Sequence, residues 1–195
     1  MVPDPLRRLA ERTGAARALI LADDLTGAAD CGIAFARAGL RTAVLLSPGD
    51  APPETAEAVV IDLDSRRLPA HEAEALSAGT LRQAHDPGMV LYRKIDSTLR
   101  GNWVAETMVS LRAVAAARRT PQLAVVAPAY PAMGRTTADG RMAVHGVPLE
   151  ATEIWRAERL AGHADVAAML RAAGVRTELA NLGLVRRGGD ALAAA

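Results

Sequence analysis

The sequence predicts an α/β fold: a single domain built on a mostly parallel, Rossmann-like sheet with helices on both faces. Three observations lead there. Apolar runs of strand length alternate with Ala- and Leu-rich stretches of helix length. The first connections are long enough for crossovers rather than hairpins. The unusual polar clusters follow apolar runs, and open parallel sheets bind ligands outside the carboxyl ends of their strands. At 195 residues, half of them hydrophobic, the chain can bury one sizeable core.

The elements follow in order. Residues 1–16 read as an N-terminal extension, 17–185 as the α/β domain and 186–195 as a frayed tail. Arg17 to Ala22 is a continuous apolar run, as in a strand buried on both faces. After Asp23-Asp24, small and apolar residues continue at helical spacing through Ile33, Ala34 and Ala38, and Gly39 can close the helix. Arg41 to Leu46 is a second strand, completing a β-α-β unit. Ala58 to Ile61 is a third. Pro69 opens a helix running to about Ala84. Met89 to Tyr92 is a fourth strand, and Trp103 to Arg118 an amphipathic helix.

Leu123 to Ala127 reads as a fifth strand leading into a loop, Pro128 to Thr137, too rich in Pro and Gly to be regular. Arg141 to Pro148 has partial alternation and suits a hairpin or an excursion. Ala164 to Ala173 is a short helix ended by Gly174, and Val175 to Leu184 can hold one more strand.

Composition excludes several classes. Net charge is +1, so no strong field favours nucleic acid or a membrane surface. The few aromatic residues cannot supply base-stacking platforms. The single cysteine, Cys31, forms no intramolecular disulfide and falls among small apolar residues of a helix, as a packed residue would. There is no signal-peptide pattern and no apolar run long enough to span a bilayer, so the expected location is the cytoplasm. The four histidines lie at no metal-ligand spacing, and no metal site is expected. No Walker loop occurs, and Leu25 breaks the Asp-x-Asp-x-Thr phosphatase pattern.

The richest cluster is Lys94-Ile95-Asp96-Ser97-Thr98-Leu99-Arg100-Gly101-Asn102, between the fourth strand and a helix. It places two cations, an acid, two hydroxyls and an amide around a turn that Gly101 permits. That is the equipment for a small polyhydroxylated acid, although a solvated surface loop could carry the same charges. Arg100 is the best candidate for an anion, since its planar fork binds carboxylate or phosphate through two bonds. Arg135, beside Gly134 and followed by Thr136, is the second. Asp23 and Asp24 are adjacent, so one can face a site while the other caps the following helix. Asp64 and Arg66 follow the third strand; of Arg66 and Arg67, one is expected to be only solvated. Tyr130 can pack on a ligand or in the core.

Three motifs stand in order: Ala22-Asp23-Asp24-Leu25-Thr26-Gly27-Ala28, Lys94 to Asn102, and Pro128-Ala129-Tyr130-Pro131-Ala132-Met133-Gly134-Arg135-Thr136. Together they resemble the N-terminal domain of the four-carbon acid sugar kinase family, and the resemblance covers roughly Arg17 to Leu149. It implies the substrate-binding half of an ATP-dependent kinase that phosphorylates the terminal hydroxyl of threonate, erythronate or 3-oxo-tetronate. It further implies Arg100 and Arg135 on the carboxylate, and Asp96, Ser97 and Asn102 on hydroxyls. Lys94, Gly101, Thr136, Asp64 and Arg66 complete the binding set. Asp24 or Asp23 would orient or deprotonate the attacking hydroxyl.

Two departures from the family pattern matter. Ala151 to Ala161 replaces the usual Asp-Pro and Ser-His segment, and the family's C-terminal ATP-binding domain is not in these 195 residues. ATP and Mg²⁺ are therefore expected to act only in a complete two-domain enzyme, and neither is expected to bind tightly to this chain alone. The expected partners are a sugar acid, a separate ATP-binding domain and a second copy of the chain. The alternative is a non-catalytic sugar-acid-binding or sensing module.

Overall fold

A computed structural model describes residues 18–194. These group into two compact units, one of residues 18–96 and 101–125, the other of 97–100 and 126–194. Arg17 and the proposed N-terminal extension lie outside the described residues.

The first unit is a four-stranded parallel sheet in the order β2-β3-β1-β4. Its strands are β1 (Ala18–Ala22), β2 (Thr42–Leu45), β3 (Ala58–Asp62) and β4 (Val90–Lys94). β1 and β3 are buried along their whole length, which explains why neither shows hydrophobic alternation. Alternate residues still serve different faces. Ala18, Ile20, Ala22, Ala58 and Val60 pack under helix α1 (Leu25–Arg37) through Ala28, Cys31 and Phe35. Leu19, Leu21, Val59 and Ile61 pack on the other face against Leu76 and Leu81 of α2 (Ala70–Ala84) and Val109 and Ala113 of α3 (Trp103–Arg118). Each fully buried Leu or Ile contributes about 1.5–3 kcal/mol.

The order of the strands positions the candidate site. β1 leads into α1 on one face, whereas its neighbours β3 and β4 lead into α2 and α3 on the other. Connections diverge around β1, making a topological switch point at its carboxyl end. Three of the four polar clusters seen in the sequence leave the sheet there.

The second unit holds an antiparallel meander of β5 (Arg135–Ala138), β6 (Arg141–Val144) and β7 (Val147–Pro148). Asp139-Gly140 and His145-Gly146 make the two-residue turns, all four with positive φ, as tight hairpins require. Met142, Leu149, Trp155, Ala164, Val166 and Leu170 are buried in this unit. Helix α4 (Glu153–Ala157) is capped by Thr152, and α5 (Val166–Ala172) by Asp165, which accepts from the Ala168 amide at 2.8 Å. Two short helices follow, α6 (Leu182–Arg186) and α7 (Gly189–Ala193).

The α/β class, the parallel sheet and helices on both its faces are as expected, as is the hairpin at 141–148. Four expectations are corrected. Leu123 to Ala127 is not a fifth strand: Leu123 and Val125 are about nine-tenths exposed and pair with no described strand. A β-prone run becomes a strand only beside a partner, and composition does not name the partner. Val175 to Leu184 contains no strand for the same reason, and its end begins α6. The Pro- and Gly-rich loop closes early, because Arg135 to Ala138 pairs with β6. The tail is not frayed throughout but carries α7 over Gly189–Ala193.

Candidate functional site

Asp23, Asp24, Arg66 and Asp96 meet at the carboxyl ends of β1, β3 and β4. Arg66 is the hub. Its Nε donates to Asp23 Oδ2 and its Nη2 to Asp23 Oδ1, both at 2.8 Å. Its Nη1 donates to Asp24 Oδ2 at 2.7 Å, and Asp96 Oδ1 lies 4.0 Å from Nη2. The fork thus holds one carboxylate through two bonds and a second through one, which a lysine could not do. Burial alone would lower the Arg66 guanidinium, but its hydrogen bonds to Asp23 and the charges of Asp23, Asp96 and Asp24 raise it above its ordinary value.

The two adjacent acids divide their work, but not as one site-facing acid and one cap: Asp24 takes both of those places and Asp23 is sealed by Arg66. Asp23 is 3% exposed, with both oxygens on Arg66. Asp24 caps α1, its Oδ1 accepting from the Gly27 amide at 2.9 Å, while its side chain stays 27% exposed. Asp24 is therefore the acid with a face to solvent.

Gly101 lies against this cluster. Its φ is +78°, and a Cβ there would come 3.1 Å from Arg66 Cγ and 3.2 Å from Asp23 Oδ2. Both the backbone conformation and the space demand glycine. The Asn102 side-chain amide donates to the carbonyls of Ser65 at 3.0 Å and Leu68 at 2.8 Å, tying the loop that carries Arg66 to the start of α3. Lys94 ends β4, and its Nζ donates to the Ile95 carbonyl at 3.0 Å. Asp64 is exposed at φ +45°, its amide bonded to Asp62 Oδ1 at 3.0 Å. Arg67 is exposed, the solvated member of its pair.

Within the second unit, Arg135 Nη1 donates to Ser97 Oγ. Arg100 is half-buried there, and Thr136 is exposed on β5. Leu99 has φ +59° while fully buried, so the loop after β4 carries backbone strain at its centre. Tyr130 is half exposed and pairs its backbone with Arg135, so it is no core residue.

Sequence reasoning did not foresee Arg66 as the hub of an ion cluster, and it missed Arg93 and Glu106. The buried residues of α3 are Trp103, Glu106, Ser110 and Val114, one stripe of the helix. A glutamate on such a stripe requires a buried cation, and that was the available signal. Arg93 supplies it at 3.3 Å, with Glu106 1% and Arg93 7% exposed. Burial pulls the Arg93 guanidinium below its ordinary value, with Glu106 and then Asp23 opposing. Cys31 is buried in the core, and burial pushes its thiol up to about 11 despite Lys94 nearby, so it is a packing residue.

Asp62 offers a pH test. Burial, then the charges of Asp64, Asp24 and Asp23, raise its carboxyl, with the Asp64 amide opposing. A carboxyl raised in the folded state contributes fully below its unfolded value, about 3.9, and loses that contribution as pH rises through the folded value. Asp62→Asn keeps the oxygen that accepts from Asp64. It is expected to raise Tm by about 2–4 °C at pH 8, and the gain is expected to vanish near pH 3.5. Calorimetry of both proteins across that range checks it.

Among the described residues, no group of three His, Cys, Asp or Glu side chains is arranged to hold a metal ion. No described helix is long and apolar enough to cross a membrane.

Residues 18–195 match the family described as the sugar-binding N-terminal domain. The chain belongs to that family. A D-threonate kinase of Cupriavidus necator is 49% identical over 172 residues, covering 87% of this chain and 40% of the relative. A D-erythronate kinase of Heliobacterium modesticaldum is 36% identical over 160 residues, covering 80% and 35%. The chain thus spans well under half the length of these kinases. Among solved structures, a domain of unknown function from Bordetella bronchiseptica, a domain-swapped dimer with bound citrate, aligns with a TM-score of 0.68 and 31% identity, covering 80% of this chain and 40% of that one. The resemblance carried by the three motifs is therefore confirmed at the level of the sugar-binding domain.

Proposed function

We propose that this chain is the substrate-binding half of an ATP-dependent kinase that phosphorylates the terminal hydroxyl of a four-carbon sugar acid. The observation that carries this reading is the convergence of the β1, β3 and β4 loops on Arg66 at a switch point, in a chain of the sugar-binding family. The names of the threonate and erythronate kinases support the substrate class, and the citrate bound to the Bordetella protein supports a carboxylate ligand.

The chemistry divides by charge. Three carboxylates crowd Arg66, which repels another carboxylate but suits hydroxyl donors. Asp24, the solvent-facing acid, orients the attacking hydroxyl, and Asp96 and Asn102 bind hydroxyls beside it. Arg100 and Arg135 hold the substrate carboxylate, with Ser97 as a further hydroxyl partner. Asp23 is fully engaged by Arg66 and serves to hold it. ATP and Mg²⁺ belong to a complete two-domain enzyme, in which phosphoryl transfer rests on positioning and charge stabilisation; the chain alone turns over no ATP. The chain also self-associates, as the dimeric Bordetella relative suggests. Sedimentation velocity is expected to show a concentration-dependent rise in mass, and a strict monomer would refute it.

Calorimetric titration with D- and L-threonate and D- and L-erythronate, without nucleotide, tests the reading. One isomer is expected to bind, and Arg100→Ala to weaken it at least about tenfold, or 1.4 kcal/mol. A folded chain that binds none of the four would overturn it.

A further inference from the structure

The Arg93–Glu106 pair lies beneath the Arg66 cluster rather than in it, and nothing above gives it a role beyond packing. A buried ion pair is a poor device for stability alone, because apolar side chains of similar volume would serve as well. Its satellite bonds are more informative. Arg93 Nε donates to Ser110 Oγ at 3.0 Å and Arg93 Nη2 to Ser77 Oγ at 3.1 Å, so α2, α3 and β4 are joined through it. Glu106 Oε1 accepts from Ser77 Oγ at 3.4 Å and, at 2.6 Å, from Ser65 Oγ. Ser65 is fully buried and directly precedes Arg66. One turn before Glu106, at the N-cap position of α3, Asn102 holds the Ser65 and Leu68 carbonyls. The Arg66 amide donates to the Asp23 carbonyl at 3.2 Å.

We infer that Glu106, acting through Ser65 and backed by Arg93, is a positioning residue that sets the Arg66 fork on Asp23 and Asp24. The sequence of contacts is Arg93 to Glu106, Glu106 to Ser65, and Ser65 to its neighbour Arg66. A carboxylate is needed at 106 because it must answer Arg93 and accept the Ser65 hydroxyl together. The ion pair therefore ties the β3–α2 loop to β4 and α3, and leaves the guanidinium of Arg66 one geometry. The value of that geometry to sugar-acid binding rests on the proposed function; the positioning itself does not.

The test reads the arginine side chains directly. In the full chain labelled with ¹⁵N, NMR follows hydrogen exchange at Arg66 Nε–H, bonded to Asp23, and at Arg93 Nε–H, bonded to Ser110. Ser65→Ala is expected to speed exchange at Arg66 about tenfold while leaving Arg93 within about twofold. Ser77→Ala, which touches the ion pair but not the loop, is expected to leave Arg66 unchanged. Should Ser65→Ala not fold, Asn102→Ala removes the two amide donors to the same loop and is expected to give the same selective change. Unchanged Arg66 exchange, or acceleration of Arg66 and Arg93 together, would overturn the inference. The measurement uses no ligand, so it stands even where no sugar acid binds.

Discussion

Glu106→Ala is expected to destabilise the protein by roughly 3–5 kcal/mol, lowering Tm by about 10 °C or more. The substitution leaves Arg93 buried without its carboxylate, in surroundings that already penalise its charge. It also strips an acceptor from Ser65 and Ser77, and each buried hydroxyl left unpaired costs about 1–3 kcal/mol. Removing both charges is different in kind. Arg93→Met with Glu106→Leu is expected to recover most of the loss, since the apolar pair fills the space and leaves no charge to compensate. Thermal unfolding of the two singles and the double checks this. A double mutant as unstable as the sum of the singles would show that the pair is not coupled.

Arg66→Ala is expected to cost about 3 kcal/mol, and Arg66→Lys to recover less than half of it. Asp23 is almost wholly buried and has both oxygens on the Arg66 fork, so its charge would be left facing Asp24 and Asp96 with no cation between them. A lysine restores charge but not the fork, so one carboxylate keeps a partner and the other loses it. Asp23→Asn in the Arg66→Ala background is expected to regain about 1 kcal/mol by removing one of the crowded charges. Denaturant titration of this set measures the coupling. An Arg66→Lys protein as stable as the parent would mean that charge alone, without geometry, holds the cluster.

The parts of the protein legible in the sequence were those set by local chemistry. The continuous apolar run at β1 read as a strand buried on both faces, and it is one of the sheet's two interior strands. Helix α3 was readable to its ends, and Pro69 marked the start of α2. Polar residues gathered after strands, and parallel sheets bind ligands there, so Asp23, Asp24, Arg66, Asp96 and Gly101 were all named in advance. Their division of labour was not. That Asp24 caps a helix while Asp23 is sealed by Arg66 depends on a residue more than forty positions away.

The same distinction explains the errors. Leu123 to Ala127 and Val175 to Leu184 have strand-like composition, but a strand exists only where another strand's backbone groups face it. Arg66's place at the hub of an ion cluster was not visible, because a sequence shows an arginine's flanking residues and not the carboxylates brought to it by other strands. Glu106 looked like one more polar residue on a helix until folding placed Arg93 opposite it. What the sequence by itself determined here was the class of fold, the order of its main elements and the family, because periodicity, turn residues and motifs are short-range properties. What only the tertiary structure decided was which charges meet, because desolvation and hydrogen bonding act between residues far apart in the chain and set the energy of each pair by its burial.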